Sequence, residues 1–302
     1  MSRNARHQAL FGWLFAAPFA IGFLLVFVAP IIWAIRAAFF GSEAAEGGLY
    51  GGGARREVFV GFKNFAHAAT NPGFWSGMGR VLAFGAIQIP VMILAALFLA
   101  LLLDSFLVRR PGLWRLGYFL PFAIPGLIAA IVWTYLYLPE LSPFAAALPD
   151  LDGIAFFLSP RLVLASMANI TTWTYTGYNM LIFLAALQAI PHDLYEAARI
   201  DGASGWVIAT KIKIPLVRGA ALLAVLLSII GTVQLFNEPT MIRTVATWMG
   251  NDYMPMLMAY NTLMGQISPS GMGPASAISI LMAVVAGSLA VIYALVQRRI
   301  AR

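Results

Sequence analysis

Apolar residues run through this chain in long blocks, and polar residues gather between them. Six stretches carry no charged residue over nearly membrane-spanning length: Phe11–Ile35, Val81–Leu103, Leu116–Pro139, Leu162–Pro191, Gly219–Asn237 and Ala275–Val296. A crossing helix needs about 20 mostly apolar residues, because the hydrocarbon layer is ~30 Å thick and a helix rises ~1.5 Å per residue. The pattern therefore predicts an all-α polytopic membrane protein with six transmembrane helices. A seventh apolar run, Tyr253–Gly265, is too short to cross and reads as a re-entrant or interfacial helix. Pro18, Pro30, Pro90, Pro121 and Pro125 fall inside the predicted spans and predict kinks, which a helix bundle tolerates when neighbours re-satisfy the freed carbonyls. The first stretch is longer than the ~7–15 apolar residues of a signal peptide and reads as an uncleaved anchor.

Composition narrows the class further. Of 302 residues, 61% are apolar and only 10% charged, against about 25% charged in soluble domains. That balance excludes a disordered chain, a nucleic-acid-binding arm and an ordinary soluble enzyme. The chain has no cysteine, so disulfides, thiolate metal sites and cysteine nucleophiles are excluded. The charges are distributed unevenly. Alternate connections hold Arg3, Arg6, Arg109, Arg110, Arg115, Arg199, Lys211, Lys213, Arg218, Arg298, Arg299 and Arg302, which is 12 of the 19 basic residues. Basic connections stay in the cytoplasm, so both termini are placed there. The connection at 139–160, with Glu140, Asp150 and Asp152 and no basic residue, falls outside. Three segments result: 1–77, an N-terminal helix and a glycine-rich external loop (Gly47, Gly48, Gly51, Gly52, Gly53); 78–297, a core of five helices; and 298–302, a basic cytoplasmic tail.

The longest cytoplasmic connection, 188–218, is patterned as structure. Pro191 opens a helix, with Asp193 and Glu196 in its early turns, where the helix dipole favours anions. Leu194, Ala197, Ala198 and Asp201 share a face at spacings of three and four. Gly202 stands where a left-handed residue ends a helix. A second short helix, from Ser204 to about Lys213, then runs to Pro215. The product is a helix–Gly–helix elbow along the membrane surface, presenting Glu196, Arg199 and Asp201. The pattern fits either a plain connector or a docking element for a cytoplasmic partner.

Here the chain resembles a known family. Glu196-Ala197-Ala198, Asp201-Gly202-Ala203 and Ile214-Pro215-Leu216 keep the spacing of the EAA loop in permease subunits of ABC importers. The string IPHDLYEAARIDGAS is similar to the carbohydrate-uptake branch, the relatives of maltose and glycerol-phosphate permeases. VGFKNF at 60–65, LPFAIP at 120–125, FFLSP at 156–160 and YNMLIFLAALQAIP at 178–191 agree in order. The resemblance implies a type I importer-like fold and half of a sugar translocation pathway working by alternating access. Its partners would be a second permease subunit, two cytoplasmic ATP-binding subunits and an extracytoplasmic solute-binding protein, within membrane lipid and with no nucleic acid. ATP and Mg would be held by the ATPase subunits and no cofactor by this chain. Glu196, Ala197, Ala198, Arg199, Asp201, Gly202 and Pro215 would form the ATPase-docking set, with Gly202 making the bend and Pro215 ending the elbow.

Other readings meet obstacles in the sequence. No G-x-x-x-x-G-K-[ST] phosphate loop occurs. None of the six predicted spans holds an ionisable residue of the kind that ion-coupled carriers bury, which counts against a secondary transporter. Gly202-Ala203-Ser204-Gly205 mimics the motif of intramembrane serine proteases, but no histidine follows Ser204 to act as base. A sugar pathway needs aromatic faces and hydrogen-bonding groups. The fourth predicted span supplies Asn169, Thr172, Trp173 and Tyr175, and the fifth supplies Gln234 and Asn237, as candidate substrate-pathway residues. One departure from the family stands after the fifth span, where Glu238-Pro239-Thr240 replaces the usual Gly-Gly-Pro turn.

Overall fold

The computed structural model describes residues 3–44, 55–105, 108–148, 150 and 154–300. Gly47, Gly48, Gly51, Gly52 and Gly53 of the glycine-rich stretch, Asp152 and Arg302 lie outside the described residues. Two compact units result, one built from the chain up to Asn71 with Met258–Ala283, the other from Pro72–Leu257 with the chain from Val284 onward.

In the first unit, α1 (Arg3–Phe23) passes through a π turn at Leu24–Val28 into α2 (Ala29–Ala38). Pro30 lies in the first turn of α2. A proline ring crowds the carbonyl four residues back, here that of Val26, and the wider π turn makes room for it. Two short antiparallel strands follow, β1 (Phe40–Ala44) and β2 (Arg55–Phe59), with Phe40 opposite Phe59. They lead into α3 (Lys63–Thr70). Asn64, buried on α3, donates to the carbonyls of Ala38 at 2.8 Å and Phe40 at 2.9 Å, satisfying acceptors left at the end of α2. Gly273 approaches so closely that a Cβ there would overlap the Phe40 carbonyl oxygen.

The second unit opens with α4 (Pro72–Leu103), a single helix despite Pro90. Helices α5 (Pro111–Ala123) and α6 (Gly126–Leu136) meet at 91°. The short α7 (Pro143–Ala146) and a 3₁₀ turn at Phe156–Leu158 lead to α8 (Val163–Gln188). Next come α9 (His192–Ile200), α10 (Gly205–Val207), a π turn at Ile208–Lys213, α11 (Ile214–Leu216), α12 (Arg218–Val233) and α13 (Asn237–Ile242). Helices α14 (Pro255–Leu263) and α15 (Met272–Ile300) each contribute to both units.

The structure is that of an all-α, multi-span membrane protein, but the count of six differs. Among the described residues, four helices are long and apolar enough to cross a membrane: Phe11–Ala38, Pro72–Leu103, Arg218–Ile242 and Met272–Gln297. The pair α5 and α6 makes a fifth if a bent pair is one span. The sequence reads Leu116–Pro139 as one helix; the structure breaks it at Ile124–Pro125. A residue before proline is pushed out of the helical region, and Ile124 (φ −78°, ψ 128°) and Pro125 (φ −52°, ψ 130°) are both extended. The fourth predicted span forms α8, but Asn169, Thr171, Thr172, Thr174, Thr176 and Asn179 leave this 26-residue helix less apolar than the others.

The core of the second unit is continuous from α4 to the segment after α8. Met92, Ile93, Ala96, Ala100 and Leu103 of α4 pack with Met180, Phe183, Leu184 and Leu187 of α8 and with Ala224 of α12. Ile190, Tyr195, Ile208 and Val217 extend the same cluster beyond the long helices. Gly177 lets α8 lie directly against α5, since a Cβ there would overlap the Tyr118 carbonyl.

Candidate functional site

Two features carry the chemistry: an elbow between α8 and α12, and a cavity among α4, α5, α8, α12 and α13. The elbow begins at Pro191, and α9 follows with Asp193 in its first turn and Arg199 in its last, in keeping with the helix dipole. Its end is a glycine-terminated motif. Gly202 has φ +81°, its N–H donates to the Arg199 carbonyl at 3.0 Å, and the Ala203 N–H donates to Ala198 at 2.9 Å. Ser204 restarts the chain by accepting a 3.4 Å bond from the Val207 N–H, capping α10.

Glu196, Ala197, Arg199, Asp201 and Gly202 are exposed on the elbow, whereas Ala198 is half-buried against the core. The sequence puts Ala197 and Ala198 on one face with Leu194 and Asp201; in the structure Ala197 is exposed and Ala198 faces the core. Pro215 stands two residues before the junction with α12. It lies in the first turn of α11, and the chain continues through Val217 (φ −89°, ψ 7°) into α12. The π turn before it widens the helix at Lys211, the carbonyl that the proline ring would otherwise crowd.

The residues that seat the elbow were not singled out from the sequence. Tyr195 is the one buried residue of α9 and joins the core cluster. Burial pushes its phenol above the ordinary value, and the nearby Asp104 carboxylate adds to that. Lys213 pairs with Asp104 at 2.5 Å, and its ammonium lies 5.0 Å from the centre of the Tyr195 ring. Asp104 is the only acid in the 104–115 connection, and that isolation was the available signal. On the outer side of the elbow, Ile200 is 86% exposed and Trp206 77%. Two large apolar side chains so exposed, with Val207 beside them at 40%, suit a contact with another surface.

The cavity measures about 380 Å³. Of the candidate pathway residues, Tyr175, Gln234 and Asn237 line it. Asn169, Thr172 and Trp173 do not: Asn169 donates to the Tyr137 hydroxyl at 3.0 Å, and Trp173 packs edge-on against Trp133 at 5.7 Å. Thr172 accepts a long 3.5 Å bond from Gln88, which does line the cavity. Phe122 and Tyr178 form a stacked aromatic wall, ring centres 4.6 Å apart. Gly126 leaves room for Asn237, because a Cβ there would lie 2.6 Å from the Asn237 amide nitrogen.

Glu238 also lines the cavity and is 6% exposed. The sequence reading ended the fifth span at Asn237 and found no intramembrane acid, whereas the apolar segment extends to Ile242 and includes this carboxylate. The residue was legible as the replacement for the family's Gly-Gly-Pro turn, but its burial was not, because only the turn at Gln234–Phe236 folds it back onto the cavity. Among the described residues no group of three or more His, Cys, Asp or Glu side chains is placed to hold a metal ion. The wall thus combines aromatic faces with amide, hydroxyl and carboxylate groups, a surface that can stack on and hydrogen-bond a polyhydroxylated molecule.

Residues 88–302 match the family model described as binding-protein-dependent transport system inner membrane component. A lactose transport system permease protein of Rhizobium radiobacter is 32% identical, over 77% of this chain and 76% of that protein. A sulfoquinovosyl glycerol transport system permease protein of Agrobacterium fabrum is 28% identical, over 89% of this chain and 84% of that protein. Among solved structures, a chain of a bacterial ABC transporter involved in the import of the acidic polysaccharide alginate superposes with a TM-score of 0.73. Its identity is 21%, and the match covers 99% of this chain and 98% of that one.

Proposed function

This chain belongs to the family of binding-protein-dependent transport system inner membrane components, and from that premise we propose that it forms half of the translocation pathway of an ATP-driven carbohydrate importer. It pairs with a second permease subunit, binds two cytoplasmic ATPase subunits and receives its sugar from an external solute-binding protein. Both termini face the cytoplasm, and α8 crosses the membrane as well, with Ser166, Thr171, Thr174 and Asn179 among its twelve buried residues. The apolar window of Phe11–Ala38 has none of its residues buried, as a helix facing lipid or another chain requires.

The observation that carries this reading is the elbow. It exposes Glu196, Arg199, Asp201, Ile200 and Trp206, while Tyr195, Ile208 and Val217 root it in the core shared by α4, α8 and α12. Those same helices line the cavity. A push on the elbow therefore has a packed route to the sugar site. ATP is held and hydrolysed by the partner subunits; this chain's residues receive the movement. Directionality follows from the ligand's unequal affinity for the two states of the pathway.

Within the cavity, Tyr175 and Tyr178 present rings to a pyranose face, and Gln234, Asn237 and Glu238 take its hydroxyls. Named relatives transport lactose, arabinooligosaccharides and trehalose, which supports a carbohydrate as cargo. The test is uptake of labelled sugar by cells carrying Glu196→Lys. The reading expects full insertion into the membrane and lost uptake; normal uptake by a well-expressed variant contradicts it.

A further inference from the structure

The elbow is joined to the membrane helices in two ways. To α8 and α12 it is joined by the chain itself, through Pro191 and Val217. To the foot of α4 it is joined by packing of Tyr195, Ile208 and Val217 in the shared core and by the ion pair of Lys213 with Asp104 at 2.5 Å. Asp104 directly follows α4, and its N–H donates to the Ala100 carbonyl at 2.9 Å, which keeps it in register with the helix. The two charged side chains are 14% and 15% exposed, so solvent screens them little. The Tyr195 ring supports the ammonium from the α9 side at 5.0 Å. One lysine thus ties three segments: the π turn that carries it, α9 through the ring, and the foot of α4 through the carboxylate.

The far part of α4 carries Phe84, Gln88 and Met92 on the cavity wall. Asp104 stands sixteen positions after Gln88, so that cavity contact lies roughly 24 Å from the joint along a helix rising ~1.5 Å per residue. A helix continuous over that length transmits a displacement at its foot to its other end.

We propose that the Asp104–Lys213 pair, supported by Tyr195, is the joint through which the elbow moves α4, so that α4 and α12 shift together around the cavity. These are positioning residues. They touch neither cargo nor ATPase and act through the helix they hold. This inference rests on the elbow being the ATPase-docking element.

The test exploits the absence of cysteine from this chain. A single Gln88→Cys reporter is placed in the whole importer, with its ATPase subunits, in proteoliposomes. Maleimide labelling of this chain alone is read on a gel, without nucleotide and with ATP trapped by vanadate. The parent reporter is expected to change labelling rate between the two states by at least about fivefold, a typical allosteric coupling. Asp104→Asn and Lys213→Met are each expected to shrink that change below about twofold, with the ATPase subunits still bound and hydrolysing ATP. The exchanged pair, Asp104→Lys with Lys213→Asp, is expected to restore it; retained ATPase binding and hydrolysis in the single variants are what a merely structural role in folding would not leave. A full change in both single variants, or no recovery in the exchanged pair, overturns the joint. Loss of the ATPase subunits from the parent itself would instead overturn the docking reading on which it rests.

Discussion

Tyr195 offers the sharpest test of how the elbow is held. Helix α9 has nine residues, too few to be stable by itself in water, and Tyr195 is its one buried side chain. Replacing it with alanine removes an aromatic ring from a packed site, a loss of about 3 kcal/mol or more by analogy with large-to-small core substitutions. That corresponds to roughly a hundredfold increase in local opening of α9. Tyr195→Phe separates packing from polarity. The Tyr195 hydroxyl is buried with no hydrogen-bond partner among the described residues, so deleting it should cost nothing and gain up to about 1 kcal/mol. The assay is amide hydrogen exchange of peptides spanning 192–200, measured by mass spectrometry on the importer in nanodiscs. Tyr195→Ala should exchange rapidly across α9, and Tyr195→Phe should match or exceed wild-type protection. Wild-type protection in Tyr195→Ala, or equal loss in both variants, would refute the claim that this ring seats the helix.

Other outcomes follow from the same geometry. The raised pKa of Tyr195 means that the folded state prefers the neutral phenol. Its contribution is complete below the unfolded value of about 10 and is lost above it, so α9 should loosen at alkaline pH in wild type and not in Tyr195→Phe. Gly177→Val should separate α8 from α5 and lower thermal stability by about 1–3 kcal/mol or more, because the new side chain meets the Tyr118 carbonyl; an unchanged melting temperature would contradict the packing. Gly202→Ala should weaken the elbow by about 1 kcal/mol, since only glycine adopts its φ of +81° without strain, and exchange at the Ala203 amide should rise. Gln234→Ala and Asn237→Ala should raise the sugar concentration for half-maximal uptake more than Asn169→Ala or Trp173→Ala, whose side chains are engaged elsewhere; the reverse order would move the sugar site out of this cavity.

The sequence was most readable where a local rule was sufficient. The glycine that closes α9, the proline before it and the acid in its first turn each follow from backbone geometry, and the structure has all three. Readings failed where the outcome depended on segments distant in sequence. Pro125 was seen, but a kink and a 91° break begin from the same residue, and the packing of Gly126 against Asn237 belongs to a fold not visible in one helix. The strands β1 and β2 border the glycine-rich stretch, where no alternation of apolar residues announced them. In α8, hydrogen-bonding side chains occur all around the helix, so periodicity could not tell Tyr175, which lines the cavity, from Trp173, which packs on Trp133. Asp104, Lys213 and Tyr195 are ordinary residues in three separate segments, and only the fold brings them together.

The central claim is that the elbow at 192–217 is where an ATP-hydrolysing partner takes hold. The most direct measurement is site-specific crosslinking from Trp206, replaced by a photoreactive phenylalanine analogue, in native membranes, followed by mass spectrometry of the adduct. Trp206 is exposed and stands away from the core. The account predicts an adduct with a nucleotide-binding subunit, lost when Glu196→Lys is added. An adduct formed only with lipid or with a second membrane chain, unchanged by Glu196→Lys, would make the elbow a connector and contradict the account.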